Sequence, residues 1–249
     1  MSPTHEAILY GLICAALPLC GFAAEEPNTG IHSEQSDNVL SSFDIVHTRI
    51  SSRDNIAIFQ MTVESEAGLA KPRASGQLAG SQVYSYVWPT TLDPYEVGFE
   101  HDSGILALAV TAHPDFDDTP LFDEDGDNNT GNDGNLWHSH WVVLHANEQC
   151  GENALGVADI PEGNKPRLPK TWPGLPILLD SPGWAPIFGE DSVEVRVAFD
   201  DIAPVSNARF DGVTAGLQVN ASVHSPLLCV VNVFDIASGD LSLPGTIEP

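Results

Sequence analysis

Positive charge is what this chain lacks most. Its 249 residues carry 9 Lys and Arg against 35 Asp and Glu, a formal net charge of −26. A chain so acidic repels phosphate backbones and anionic headgroups, which argues against nucleic acid and anionic membranes as partners. Cysteine is scarce as well: there are four, with no CxxC spacing among them. A thiolate-rich metal cluster is therefore excluded. Catalytic signatures are missing too, with no GxSxG elbow, no phosphate loop and no HExxH helix. Beyond residue 24 no apolar run is long enough to span a bilayer. Nor does any stretch there show a 3.6-residue apolar stripe of helical length.

What remains is a chain of strands and turns. With 42% apolar residues there is material for a sizeable core. The predicted strands are Ser42–Ile50, Asn55–Val63, Gln82–Trp88, Ile105–Ala112, Leu136–His145, Val193–Phe199, Val213–His224 and Leu227–Phe234. Ile105–Ala112 is almost wholly apolar, as a strand buried on both faces should be. Residues 146–192, rich in Gly, Pro and Asn, read as a long ordered loop anchored by Trp172 and Trp184. The fold class expected is all-β, a β-sandwich or Greek-key-like domain with long loops and little helix.

Residues 1–24 read as a secretory signal peptide. Ala7–Ala24 is a short apolar run ending Gly-Phe-Ala-Ala, suited to cleavage before Glu25, although no Lys or Arg precedes it. Residues 25–40 are polar and read as a flexible N-terminal arm, and 41–249 as a single β domain. The mature chain is then secreted, periplasmic or held on the outer cell surface, with room for surface association or a homo-oligomer. Past residue 24 only Cys150 and Cys229 remain, and in an oxidising compartment they pair. Closing a loop of roughly 80 residues contributes about 4 kcal/mol by chain entropy.

The chemistry gathers between Ala112 and His145. In a strand, residues i and i+2 share a face, so His138 and His140 project side by side. Two imidazoles on one rigid strand suit zinc or copper. His113, just past the buried strand Ile105–Ala112, adds a third imidazole if the two strands are neighbours. His224, at the end of another strand, offers a fourth ligand. His145 falls on the opposite face, and His47 and His101 stay unassigned. Between the strands lies the acidic run Asp123-Glu-Asp-Gly-Asp-Asn-Asn-Thr-Gly-Asn-Asp-Gly134. Most of the acid load needs only a solvated surface. Here, however, Asp123, Asp125, Asp127 and Asp133 offer oxygens of the kind calcium takes. The run is not an EF-hand, since position 6 is Asn128 and position 12 is Gly134.

Several segments carry a resemblance. Phe43-Asp-Ile-Val-His-Thr-Arg-Ile50 with Met61-Thr-Val and Ala67-Gly68 is one. His113-Pro-Asp-Phe-Asp-Asp-Thr-Pro120 is another. Asn132-Asp-Gly with Trp137-His-Ser-His-Trp-Val-Val143, and the Leu227-Leu-Cys-Val run, complete the set. Together they are similar to the copper-binding outer-surface proteins of methane-oxidising bacteria, of the MopE and CorA type. That resemblance implies an exported copper protein, its ion held by two histidines and a kynurenine formed in a Trp-x-His arrangement. No Trp-x-His occurs in this chain, so the kynurenine is not carried over and copper would rest on histidines alone. The expected function is an exported copper-binding protein for scavenging, storage or delivery, with a calcium-binding acidic loop. A secreted copper or zinc enzyme on the same histidines, and a calcium-stabilised surface interaction module, remain as alternatives.

Overall fold

The computed structural model describes Met1 and residues 30–116, 123, 127–130, 133–224 and 226–249. The signal-peptide segment lies almost wholly outside the described residues. In chain order the strands are β1 (Ile31–His32), β2 (Ile45–Arg53), β3 (Ile56–Val63), β4 (Gln82–Pro89), β5 (Ile105–Ala112), β6 (His138–Ala146), β7 (Leu155–Val157) and β8 (Leu179–Asp180). They continue with β9 (Ile187–Phe188), β10 (Ser192–Ala198), β11 (Arg209–Phe210), β12 (Val213–Val219), β13 (Leu228–Ile236) and β14 (Gly245–Thr246). One four-residue helix, α1 (Ala203–Ser206), and two short 3-10 turns are the helical content among the described residues. The all-β class read from the sequence is what the chain adopts.

Two sheets face each other across a core, and one of them curls. The first runs β1-β2-β3-β10-β9. The second runs β5-β4-β12-β13-β7-β6-β8 and returns on itself because β5 also pairs with β6, giving a six-stranded barrel-like arrangement. Alternation assigns each barrel strand two jobs. Leu106, Leu108 and Val110 of β5, with Trp141 and Val143 of β6 and Tyr86 and Trp88 of β4, point outward onto Phe59, Met61 and Val195 of the flat sheet. Ala107 and Ala109 of β5, with Val142 and Leu144 of β6, point inward against Val213 and Ala215 of β12. This two-sided burial is why β5 and most of β6 are apolar without a break.

Two aromatic side chains of the core between the sheets have their polar atoms paired, while the Trp141 indole nitrogen has no hydrogen-bond partner. The Trp88 indole donates to Thr48 Oγ1 at 3.0 Å, and the Tyr86 hydroxyl donates to Ser42 O at 2.8 Å. Phe59 meets Trp88 and Trp141 edge-on, at ring centroids 6.0 and 5.9 Å apart. Of the stretch read as a flexible arm, Ile31–His32 forms β1 against β2, with Ile31 buried. The Cys150–Cys229 disulfide is formed. It bridges the seam where β7 and β13 share a single registered pair, Gly156 opposite Cys229.

Asp180 of β8 is a buried carboxylate that makes stability depend on pH. It is 3% exposed; Thr171 Oγ1 donates to its Oδ2 at 3.0 Å, while Oδ1 has no hydrogen-bond partner. Burial raises its pKa from 3.8 to about 6. Below pH 3.8 the carboxyl is neutral in both folded and unfolded chains, so it costs nothing. As pH climbs through 6 the folded state must bury a charge that the unfolded state hydrates. Folding then loses about 3 kcal/mol, at 1.36 kcal/mol per pH unit. Asp180→Asn should therefore stabilise the protein by up to about that amount at pH 7.5 and by little at pH 3.5. Denaturant midpoints at the two pH values measure the difference, and an equal gain at both would refute it.

Candidate metal centre

Because β5 and β6 are antiparallel neighbours with Thr111 opposite His138 and Ala109 opposite His140, the inward face of β6 presents both histidines to the end of β5. His113 extends the inward series Ala107, Ala109, Thr111 by one more step. The three rings meet at one end of the barrel, 1%, 3% and 1% exposed for His113, His138 and His140. Their ligand nitrogens all lie within 4.8 Å of one another, and the group could hold a metal ion.

The far nitrogen of each ring is tied to an outer group. His113 Nδ1 donates to Phe116 O at 2.5 Å, and His138 Nδ1 donates to Leu136 O at 2.9 Å. His140 Nδ1 lies 3.1 Å from Ser181 Oγ. Histidines that bind metals characteristically spend their second nitrogen in this way, which fixes tautomer and ring direction. A carbonyl can only accept, so Nδ1 of His113 and of His138 carries the proton and each neutral ring keeps its lone pair on Nε2. Those two Nε2 atoms stand 2.9 Å apart. Two lone pairs so directed repel unless a cation, proton or metal, lies between them. On a tetrahedral ion with nitrogen bonds of about 2.0–2.1 Å, ligand nitrogens lie roughly 3.3 Å apart, so sub-ångström ring shifts would seat one.

Local structure holds this geometry. The His113 amide donates to Gly134 O at 2.7 Å. A Cβ on Gly134 would collide with Phe116 O and come within 2.6 Å of His113 Nδ1, so only glycine allows the ring to approach. The His113 ring also stacks on Phe116, with centroids 4.2 Å apart. Ser181, Gly134 and the Phe116 and Leu136 carbonyls were not evident as site groups in the sequence. Ser181 comes from the Gly/Pro-rich loop some forty residues on, with no motif around it; Gly134 sat inside the acidic run and read as a turn. Ser181→Ala should weaken metal affinity about 10- to 100-fold, the usual effect of losing an outer partner. Competition with a chelator of known affinity measures it, and unchanged affinity would remove Ser181 from the site.

The other expected ligands lie elsewhere. β12 ends at Val219, so His224 stands beyond the strand predicted to carry it; it is exposed and pairs with Asp159 at 2.9 Å. His224 is therefore not a ligand of this centre. His145 contacts Ser103 O, His47 sits beside His32 across β1 and β2, and His101 stacks on Tyr95 and pairs with Asp93. Of the acidic run, Asp125 lies outside the described residues. Asp123 accepts from the Asp127 and Asn128 amides, and Asp127 accepts from the Asn129 amide. These are turn-stabilising bonds on exposed side chains. Asp133 is instead fully buried, and neither carboxylate oxygen has a hydrogen-bond partner. Among the described residues the three histidines form the one group of three or more potential His, Cys, Asp or Glu ligands, and Asp123, Asp127 and Asp133 are not brought into another.

Outside the barrel end, a cleft lined by His138, Trp137, Trp184, Phe188, Lys71 and Asp123 leads to the triad. The fold and the site together define an all-β protein with a buried three-histidine group able to hold a metal ion. No helix among the described residues is long and apolar enough to cross a membrane. No family model, curated protein or solved structure matches the chain.

Proposed function

We propose that this is an exported copper-binding protein whose ion is held by His113, His138 and His140. The observation that carries the reading is the pair of carbonyl-anchored imidazoles with Nε2 atoms facing at 2.9 Å. An all-nitrogen donor set favours copper and zinc over calcium or magnesium, and copper stands above zinc in the general affinity order. The disulfide fits an oxidising compartment, where copper has to be gathered or handed on. It is also the function that the resemblance to the surface copper proteins of methane-oxidising bacteria implies. Calcium does not enter the proposal, since the described carboxylates do not converge.

The test is elemental analysis of protein folded in medium supplied with copper and zinc together, beside His113→Ala plus His138→Ala. The expected result is close to one copper per chain in the parent and less than about a tenth of that in the variant. Protons compete for the same lone pairs, so copper should be released as pH falls from 7 to 5. One zinc per chain and no copper would overturn the choice of metal. No transition metal at all would overturn the site.

A further inference from the structure

The triad faces two ways. His138 borders the outer cleft, while His113 and His140 line the barrel's interior, which is not filled by side chains. The space exists because the inward positions of two barrel strands are small: Ala107, Ala109 and Thr111 on β5 and Ala215 on β12. The cavity measures about 170 Å3, close to the ~150 Å3 of an engineered apolar cavity that stays dry and binds benzene. Its wall is hydrocarbon almost throughout. Polar atoms occur at few points, and Ser85 Oγ is already spent on Ala215 O at 2.9 Å. Thr111 is different. It is 6% exposed, lines the cavity next to His113 and His140, and its Oγ1 has no hydrogen-bond partner. A buried hydroxyl without a partner is costly, and a ligand that supplied one would be favoured for it. At the other end Leu241 and Leu243, both at positive φ (57° and 52°), lie against the cavity with Ile236 and the part-exposed Ile105. Leucine rarely adopts this backbone conformation, and it is kept where surrounding structure dictates it.

We propose that the barrel interior binds a compact, largely apolar small molecule carrying one oxygen donor, its hydrocarbon body against the alanine and valine walls. Its oxygen meets Thr111 Oγ1 and the metal held by the histidines. The metal contact rests on the function proposed above; the apolar compartment stands on the cavity alone.

Benzene and phenol separate these parts, with zinc as a redox-silent metal whose uptake is measured independently. Benzene should bind metal-free and zinc-loaded protein alike, shifting the methyl resonances of Val83, Ala109, Val142 and Ala215. Ala109→Leu on β5, and Ala215→Leu on β12, should each weaken benzene at least tenfold. Phenol should bind the zinc-loaded protein at least tenfold tighter than the metal-free form, and Thr111→Val should weaken phenol several-fold in both forms while leaving benzene unchanged. Benzene binding inside a chain that takes up no zinc would support the compartment while removing the metal reading. Silent cavity methyls in the folded parent would overturn the proposal, as would equal phenol affinity with and without one bound zinc per chain.

Discussion

Saturating the protein with copper, at about a thousand times its dissociation constant, is expected to add about 4 kcal/mol to folding stability. For a chain of this length that raises the melting temperature by roughly 8–16 °C. The reason is linkage: the three nitrogens converge only in the folded chain, because β5 and β6 must pair before His113 can approach His138 and His140. His138→Ala plus His140→Ala should abolish the increment. Calorimetry of parent and variant, each with and without metal, measures it. An upward shift of the same size in the variant would mean the ion sits elsewhere.

Replacing both Cys150 and Cys229 by alanine is expected to cost about 4.5 kcal/mol, the chain-entropy value for the loop their separation of 79 residues defines. The midpoint should fall by roughly 9–18 °C. The loss should also have a location. Most barrel seams are long ladders, such as the seven registered pairs of β5 with β6, whereas β7 meets β13 at one pair beside the disulfide. Amides of β7 and the adjoining part of β13 should therefore exchange faster with solvent in the variant, ahead of those in β5. Uniform acceleration across all strands would show that the bridge acts on the unfolded chain alone.

Much of this was legible in the sequence because alternation is a strong signal. Ile105–Ala112 was recognisable as a doubly buried strand, and it is β5 to the residue. His138 and His140 could be placed on one face by parity alone, and His113 joined them because adjacent strands pair. Barrel closure was not legible: pairing of β5 with β6 is a long-range registration that no local pattern specifies, and a sandwich strand shows the same alternation. The strand predicted over Val213–His224 shows the limit of periodicity. Val213, Ala215, Leu217 and Val219 do alternate inside β12, but Ala221 and Val223 continue the pattern in an exposed turn that follows the end of the strand. His224 was misplaced with them. The acidic run gave only a density of carboxylates: Asp123 and Asp127 accept from amides of their own turn, and Asp133 is buried, none of which a local pattern specifies.

β6 carries the imidazoles on one side and Trp141 and Val143, which grip the flat sheet, on the other. Chemistry and cohesion are thus written in odd and even letters of the same nine-residue word. Inserting a single residue between His140 and Trp141 would invert everything downstream, turning an indole into the barrel lumen and sending Val142 outward. The active letters of this strand can therefore be exchanged one at a time, but they cannot be shifted.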